Sequence, residues 1–98
     1  MLNHNKMPEY LTEVCKQFGV DEGVALSMSK KRVSSEPRQV FFLVCEKKDI
    51  PISYIQKFLE ERTGSSPLHS TIIYGKKKAK EMYDHDPEIA RFVESIRR

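Results

Sequence analysis

The chain has 98 residues, of which 39% are apolar and 32% are charged, and its formal net charge is +3. This length is enough for one domain with one core, and it excludes a nucleotide-driven motor or a large α/β enzyme. No run approaches the roughly 18 apolar residues of a membrane span. The first ten residues lack the apolar region of a signal peptide, so we expect a cytoplasmic protein.

The positive charge is concentrated in two segments of the chain. Residues 29–48 carry six basic and two acidic side chains, and residues 63–80 carry four lysines and no acid. Such blocks are either solvated helix faces or a surface that meets phosphate, and composition does not choose between them. Cys15 and Cys45 both lie among apolar residues, which favours buried reduced thiols over a disulfide.

Apolar spacing predicts two helices at the start of the chain. The first, over residues 8–18, ends at Gly19, a residue suited to a helix stop. Asp21 can cap a short second helix. The inward residues of the two helices would be Tyr10 or Leu11, Val14, Cys15 and Phe18, and then Val24, Ala25 and Met28.

A polar basic loop, SKKRVSSE over residues 29–36, is predicted to precede the third helix. Ser35 can cap this helix, Glu36 suits its positive end, and Pro37 fits its first turn. The run VFFLVC over residues 40–45 is apolar on all sides, which predicts the central buried helix. A strand is the alternative for this run, but no second strand is available to pair with it.

Three further helices are predicted in the second half of the chain. Ser53 can cap the fourth, which ends at Gly64, and the fifth spans residues 66–82, where Gly75 marks a kink or a close approach. Asp86 starts the sixth. The expected inward residues of the fourth helix are Tyr54 or Ile55, Phe58 and Leu59. Those of the fifth are Leu68, Ile72, Ile73 and Ala79 or Met82, and those of the sixth are Ile89, Phe92, Val93 and Ile96. The sequence therefore predicts an all-α fold of about six helices.

The sequence does not favour catalysis. Its four glycines are isolated, so there is no Gly-rich phosphate loop, and its histidines do not stand at metal-ligand spacing with the cysteines. Ser70 beside His69 is not a nucleophile–base pair, because adjacent helical residues point to different faces. We expect a protein that is not an enzyme and that uses no metal, nucleotide or other cofactor.

The fourth and fifth predicted helices, joined by about three polar residues, have the pattern of a helix–turn–helix. In that motif the second helix enters the DNA major groove. His69, Ser70 and Thr71 start the second helix and have side chains suited to reading base edges. The alternative is that they are ordinary surface residues. Lys76 and Lys77, further along, would lie near the DNA backbone.

The first basic segment offers a second contact with DNA. A mobile basic loop can place an arginine in a narrow minor groove, and Arg32 has that position. Lys30 and Lys31 are the neighbouring candidates for phosphate contacts. Arg38, predicted at the start of the buried helix, is positioned for a phosphate together with the N-terminal amides of that helix.

This arrangement resembles the C-terminal DNA-binding domain of the bacterial replication initiator DnaA, a Trp-repressor-like helical fold. The resemblance is carried by Phe18-Gly19-Val20, SKKR at 29–32, Pro37-Arg38-Gln39 and His69-Ser70-Thr71-Ile72. It implies that Arg32 enters the minor groove, that Arg38 contacts phosphate, and that His69, Ser70 and Thr71 read bases. Pro67-Leu68 stands where the family has Arg-Asp, so a base-reading aspartate is missing.

The sequence thus predicts a disordered or loosely ordered segment over residues 1–7 and a helical DNA-binding domain over residues 8–98. The expected partner is double-stranded DNA, together with other replication or regulatory proteins, and no membrane or nucleotide. Met1 favours a natural start and therefore a stand-alone relative of the family, and the alternative is a piece trimmed from a longer chain. The alternative is a protein-interaction domain that kept the fold and lost sequence-specific DNA binding, which the Pro67-Leu68 departure favours.

Overall fold

Six helices form the part of the chain that the structure, a computed structural model, describes, namely residues 6–27 and 29–96. They are α1 (Met7–Phe18), α2 (Glu22–Leu26), α3 (Arg32–Lys47), α4 (Ile52–Thr63), α5 (His69–His85) and α6 (Pro87–Ser95). These residues contain no strand, which confirms the predicted all-α fold. Most of the predicted loose segment, residues 1–5, lies outside the described residues, as does Met28, which was predicted to face inward.

α3 is the central helix of the domain. It packs against α1 and α2 and, most extensively, against α5. Residues 40–45 are each at most 1% exposed, which confirms that the VFFLVC run is a buried helix and not a strand. An apolar surface on every side of a helix requires neighbours on every side, and the helices around α3 provide them.

Several helix ends lie where the sequence predicts them. Gly19 and Gly64 end α1 and α4 in the left-handed conformation, with φ of 66° and 80°, which a residue without a Cβ adopts at little cost. The Asp86 carboxylate accepts a hydrogen bond from the Glu88 N–H at 3.0 Å and so caps α6. These three signals are local, which is why the sequence alone reveals them.

The predicted start of the third helix is wrong. α3 begins at Arg32, and Lys31 has the cap position, with its carbonyl accepting the N–H groups of Ser34 and Ser35 at 3.0 and 2.8 Å. Ser34 is 4% exposed and accepts a hydrogen bond from the Ser27 hydroxyl. This contact with the segment after α2 draws residues 32–36 into the helix, so Pro37 lies in the second turn and not the first.

The predicted starts of α4 and α5 also differ from the structure. Pro51, and not Ser53, has the cap position of α4, and α5 begins at His69 with Leu68 as its cap. Pro67 is buried, and its carbonyl accepts a hydrogen bond from the Gln56 amide at 3.0 Å. The segment before α5 is therefore held against α4, and the helix cannot begin at Ser66.

The buried stripe of α5 is narrower than predicted. Ile72, Gly75 and Ala79 are buried, whereas Leu68 and Ile73 are 71% and 49% exposed. The prediction that Leu68 and Ile73 face inward is wrong. Ile73 follows Ile72 by one residue, which is about 100° around a helix, and so it leaves the core-facing side.

Both cysteines are free and buried, which confirms the predicted reduced thiols. Burial raises the pKa of Cys45, and burial with the nearby carboxylates of Glu22 and Asp21 raises the pKa of Cys15. The thiolate is the reactive form of cysteine, and the raised pKa keeps both thiols protonated. Both side chains therefore serve as small apolar core residues.

Gly75 lets α5 lie directly on Phe42 of α3. A Cβ placed on Gly75 would lie 2.7 Å from Cδ2 of Phe42, which is closer than van der Waals contact. Phe42 is only 1% exposed, so a shift of its ring must be taken up by the residues packed around it. The close approach predicted at Gly75 is confirmed.

The substitution Gly75→Ala is expected to lower the free energy of unfolding by about 1 kcal/mol. Overpacking a core costs about 1–3 kcal/mol, or about 2 at the middle of that range, and alanine recovers roughly 1 kcal/mol over glycine in a helix. Gly23→Ala in α2 is the matched control, because a Cβ there meets nothing within 4 Å and the change should stabilise the protein. Urea unfolding followed by circular dichroism measures both, and equal stabilisation by the two variants would contradict the tight contact.

Candidate nucleic-acid interface

An open groove runs between the first half of α3 and the outer side of α5, and we call it the α3–α5 groove. Its polar and charged lining comprises Lys30, Arg32, Ser35, Glu36, Arg38, Gln39, Ser70, Thr71, Lys78, Glu81 and His85. Phe42, Tyr74, Gly75 and Met82 complete the lining. Residues from the two basic segments, about forty positions apart in sequence, thus meet in one feature.

Arg38 holds the backbone of Ser27 and of Ser29, between α2 and α3. Its guanidinium donates from Nη1 to the Ser27 carbonyl at 2.5 Å and from Nη2 to the Ser29 carbonyl at 3.1 Å. Arg38 is 9% exposed, and burial lowers the pKa of its guanidinium, which nevertheless remains charged at neutral pH. The two carbonyl oxygens solvate the charged guanidinium in place of water.

The predicted location of Arg38 at the beginning of a helix is wrong, because α3 begins six residues earlier, at Arg32. Arg38 still lines the α3–α5 groove, but two of its nitrogens are already bonded to backbone. Its first role in this structure is to position the chain that carries Lys30 and Lys31.

The basic residues before and at the start of α3 project into solvent. Lys30 and Lys31 are exposed, and the side chain of Arg32 is 91% exposed. Arg32 was predicted in a mobile loop, and this is wrong, because it is the first residue of α3. Its Nε lies 3.9 Å from a Glu36 carboxylate oxygen, an exposed pair that contributes little to stability.

The first turn of α5 carries His69, Ser70 and Thr71, as predicted. His69 and Ser70 are exposed, and Thr71 is half-buried. Ser70 and Thr71 line the α3–α5 groove, and His69 lies outside its lining. The N–H of Thr71 donates to the Leu68 carbonyl at 3.0 Å, and the N–H groups of His69 and Ser70 precede it in the chain, so they are the backbone donors that this end of α5 presents.

The four lysines of α5 point in different directions. Lys76 is 13% exposed and lies 3.6 Å from a Glu46 carboxylate oxygen on α3, outside the groove. Lys77 and Lys80 are exposed, and neither lines the groove. Lys78 lines it, with its Nζ 3.7 Å from a Glu81 oxygen. Of the lysines of α5, the groove thus includes Lys78, which our site prediction omitted, and excludes Lys76 and Lys77, which it contained.

Helical spacing could have located the missing groove residues. Ser70, Tyr74 and Lys78 are separated by four positions, which places them along one side of α5. His85 completes the same side near the end of the helix and lines the groove. Grouping the lysines by their proximity in sequence hides this row.

No three His, Cys, Asp or Glu side chains among residues 6–27 and 29–96 lie together in a way that could hold a metal ion. None of the described helices is long and apolar enough to cross a membrane.

The fold and the groove define a small all-helical domain in which basic side chains from two segments face one open groove. No family model and no solved structure matches the chain. It is 27% identical over 92 residues to the chromosomal replication initiator protein DnaA of Jannaschia sp. (strain CCS1). This match covers 94% of the chain but 18% of that protein, so the chain spans about a fifth of the relative's length. The similarity suggests a DnaA-related domain.

Proposed function

We propose that this chain is a non-catalytic domain that binds double-stranded DNA and resembles the C-terminal domain of DnaA. The observation that carries the proposal is the α3–α5 groove, which is lined by Lys30 and Arg32 of one basic segment and by Lys78 of the other. Clustered cations that project into solvent are suited to a phosphate backbone, whose counterions they release. The similarity to a replication initiator supports a role in replication or transcription control.

In the proposed complex, α4 and α5 act as a helix–turn–helix. The five residues between them, 64–68, are held on α4 through Pro67 and Gln56, so α5 projects at a fixed angle. The exposed first turn of α5 enters the major groove, where Ser70 and Thr71 read base edges. Arg32, nearly fully exposed, reaches the adjacent minor groove.

The acidic side chains of the groove modulate the proposed contact between its basic side chains and DNA phosphates. Glu36 lies beside Arg32, and Glu81 lies beside Lys78, so each carboxylate partly neutralises a cation in the free protein. Both pairs are solvent-exposed and weak, and a phosphate can replace the carboxylate at small cost. Lys77, which faces solvent without lining the groove, is a further candidate for the flanking backbone.

A protein-interaction domain is the second candidate function. The observation that favours it is the exposure of Leu68 and Ile73 at the beginning of α5. Exposed apolar side chains of this size are also typical of protein–protein contacts. The two functions differ in their dependence on salt and on DNA sequence, which one experiment can measure.

That experiment is selection of bound duplexes from a random pool at a stated salt concentration, followed by a salt titration of the affinity. With about four or five phosphate contacts, log K is expected to fall with log salt at a slope of about −4. Changing both Lys30 and Lys31 to glutamine should reduce the slope by about two, roughly one for each lost contact. Lys16→Gln on α1, which contributes nothing to the groove, should leave it unchanged. A slope of zero for the unmodified protein would reject DNA binding and favour the protein-interaction domain.

A further inference from the structure

The short helix α2 is bonded at its two ends to the two parts of the domain that are proposed to contact DNA. It has five residues, which span about 7 Å along a helix axis. Its Ala25 and Leu26 are buried, and the helix packs on α3. Because α2 is short and seated on the core, the contacts at its ends decide how those two parts lie relative to each other.

The end of α2 holds the backbone that precedes the first basic residues. The carbonyl of Ser27, directly after α2, accepts a hydrogen bond from Nη1 of Arg38 at 2.5 Å. Nη2 of the same guanidinium donates to the carbonyl of Ser29 at 3.1 Å. Ser29 is followed at once by Lys30, and Arg32 opens α3. The start of the basic segment is thus bonded to the same side chain as the end of α2.

The start of α2 holds the end of α4. Oε1 of Glu22, the first residue of α2, accepts a hydrogen bond from Nη1 of Arg62 in the last turn of α4, at 2.5 Å. The Arg62 guanidinium also lies over the ring of Phe58, 4.7 Å from its centroid. The Phe58 ring in turn lies 5.7 Å from that of Phe41 on α3. A guanidinium that pairs with a carboxylate and covers an aromatic ring is held in one orientation.

The turn before α5 is bonded to α4. The hydroxyl of Thr63 accepts the N–H of Ser65 at 3.2 Å, and the Gln56 amide donates to the carbonyl of Pro67 at 3.0 Å. Residues 64–68 therefore follow α4. The contact that places the end of α4 against α2 consequently also places the first turn of α5.

The ion pair between Glu22 and Arg62 lies apart from the proposed DNA contacts. The two side chains are 41% and 34% exposed, and an ion pair that solvent reaches contributes little to the stability of a fold. Neither side chain lines the α3–α5 groove. The contact that they make joins α2 to α4, so its effect is on the relative placement of these two helices.

We infer that Glu22 and Arg62 are positioning residues for DNA binding, an inference that rests on the proposed function. Through α2, their ion pair holds the first turn of α5 and the basic segment at one separation, so that both engage the same duplex. A surface that is already ordered binds more tightly, because less conformational entropy is lost on binding. The pair therefore raises DNA affinity without contacting DNA.

The variant Glu22→Gln tests the inference by the sign of its effect. Removal of a carboxylate makes a protein surface more attractive to a polyanion, so electrostatics alone predicts tighter binding. The inference predicts binding that is about three- to tenfold weaker, which is the cost of ordering one or two side chains. Fluorescence anisotropy with the full chain and a duplex from the selected pool, at one salt concentration, measures the affinity.

The matched control is Glu60→Gln, which also removes a carboxylate close to the end of α4. Glu60 is exposed and forms no ion pair with the residues that the structure describes. This variant should bind DNA as tightly as the unmodified protein or slightly more tightly. Urea unfolding of each variant verifies that it is folded under the conditions of the binding measurement.

Further variants show whether the two side chains act as a pair. Arg62→Gln should weaken binding, the double variant with Glu22→Gln should bind no more weakly than Arg62→Gln alone, and Arg62→Lys, which keeps a cation, should retain most of the affinity. Arg32→Ala should weaken binding about tenfold in the unmodified chain but only about threefold in the Glu22→Gln chain. Affinity per folded molecule is measured, so a loss of stability alone does not produce this coupling.

The outcomes separate the inference from the proposed function. Unchanged or tighter DNA binding by Glu22→Gln overturns the inference and leaves DNA binding intact. Weaker binding by Arg62→Gln without weaker binding by Glu22→Gln also overturns it, and assigns Arg62 to a direct phosphate contact. An equal penalty for Arg32→Ala in both chains shows that α2 does not couple the two parts. An absence of DNA binding by the unmodified protein overturns the inference and the proposed function together.

Discussion

Arg38→Ala should lower the free energy of unfolding by about 3 kcal/mol. The guanidinium is 9% exposed and donates to the carbonyls of Ser27 and Ser29, and hydrogen bonds of charged groups contribute about 1.5–3 kcal/mol each. The variant leaves two carbonyls without their donor and releases the segment between α2 and α3. Urea denaturation measures the loss, and an unchanged slope against denaturant would show that the unfolding transition itself is preserved.

Arg38→Lys distinguishes two roles of this side chain, which are positioning of the nearby basic residues and direct contact with a DNA phosphate. Lysine keeps the charge but cannot reach two carbonyls in the planar geometry of a guanidinium. If Arg38 acts mainly by positioning Lys30 and Arg32, the lysine variant should lose about half as much stability as the alanine variant and bind DNA almost as weakly. DNA affinity close to that of the unmodified protein would instead indicate a direct phosphate contact, as the family resemblance implies. Arg91→Ala, on the exposed side of α6, is the control for a lost surface arginine.

Arg32→Ala should weaken binding to all A·T-flanked sites by roughly 1–3 kcal/mol, which is the scale of one good groove contact. The side chain is 91% exposed, so the free energy of unfolding should not change. Glu36→Gln should shift the affinity in the opposite direction, because it removes the carboxylate that lies 3.9 Å from Arg32. Both effects are measured by fluorescence anisotropy with labelled duplexes at one salt concentration.

Thr71→Ala tests a proposed major-groove contact, in contrast to the minor-groove contact that Arg32→Ala tests. A minor-groove arginine senses groove width and A·T content, whereas a side chain in the major groove senses base identity. Thr71→Ala should therefore flatten the preference at one or two base positions and leave non-specific affinity nearly unchanged. An unaltered preference profile would mean that α5 is not the reading helix and would strengthen the protein-interaction alternative.

The helices that the sequence predicted well have their signals inside their own segments. The 3.6-residue spacing of Val14 and its neighbours, the glycine after Phe18 and the Asp86-Pro87 pair act over one or two turns. The all-round apolar run at 40–45 needed no knowledge of its partners to be recognised as buried. These features fixed the all-α class and the order of the six helices.

The boundaries that the sequence analysis missed depend on contacts between distant segments. α3 starts early because Ser34 packs against Ser27, and α5 starts late because Gln56 holds the carbonyl of Pro67. No local propensity encodes either contact, since each becomes available only when two helices have docked. The cap signals at Ser35 and Ser66 were plausible in isolation and lost to these contacts.

The sequence by itself determined which residue types are available for a DNA-binding surface: the basic segment at 29–32, the polar turn at 69–71 and the lysines of α5. Only the tertiary structure decided how they are used. The docking of α5 on α3 through Gly75 and Phe42 turns Lys78 into the groove and Lys76 toward Glu46, and burial commits Arg38 to backbone carbonyls. The direction in which a charged side chain points depends on which face of its helix is buried, and that face is chosen by packing between segments far apart in the chain.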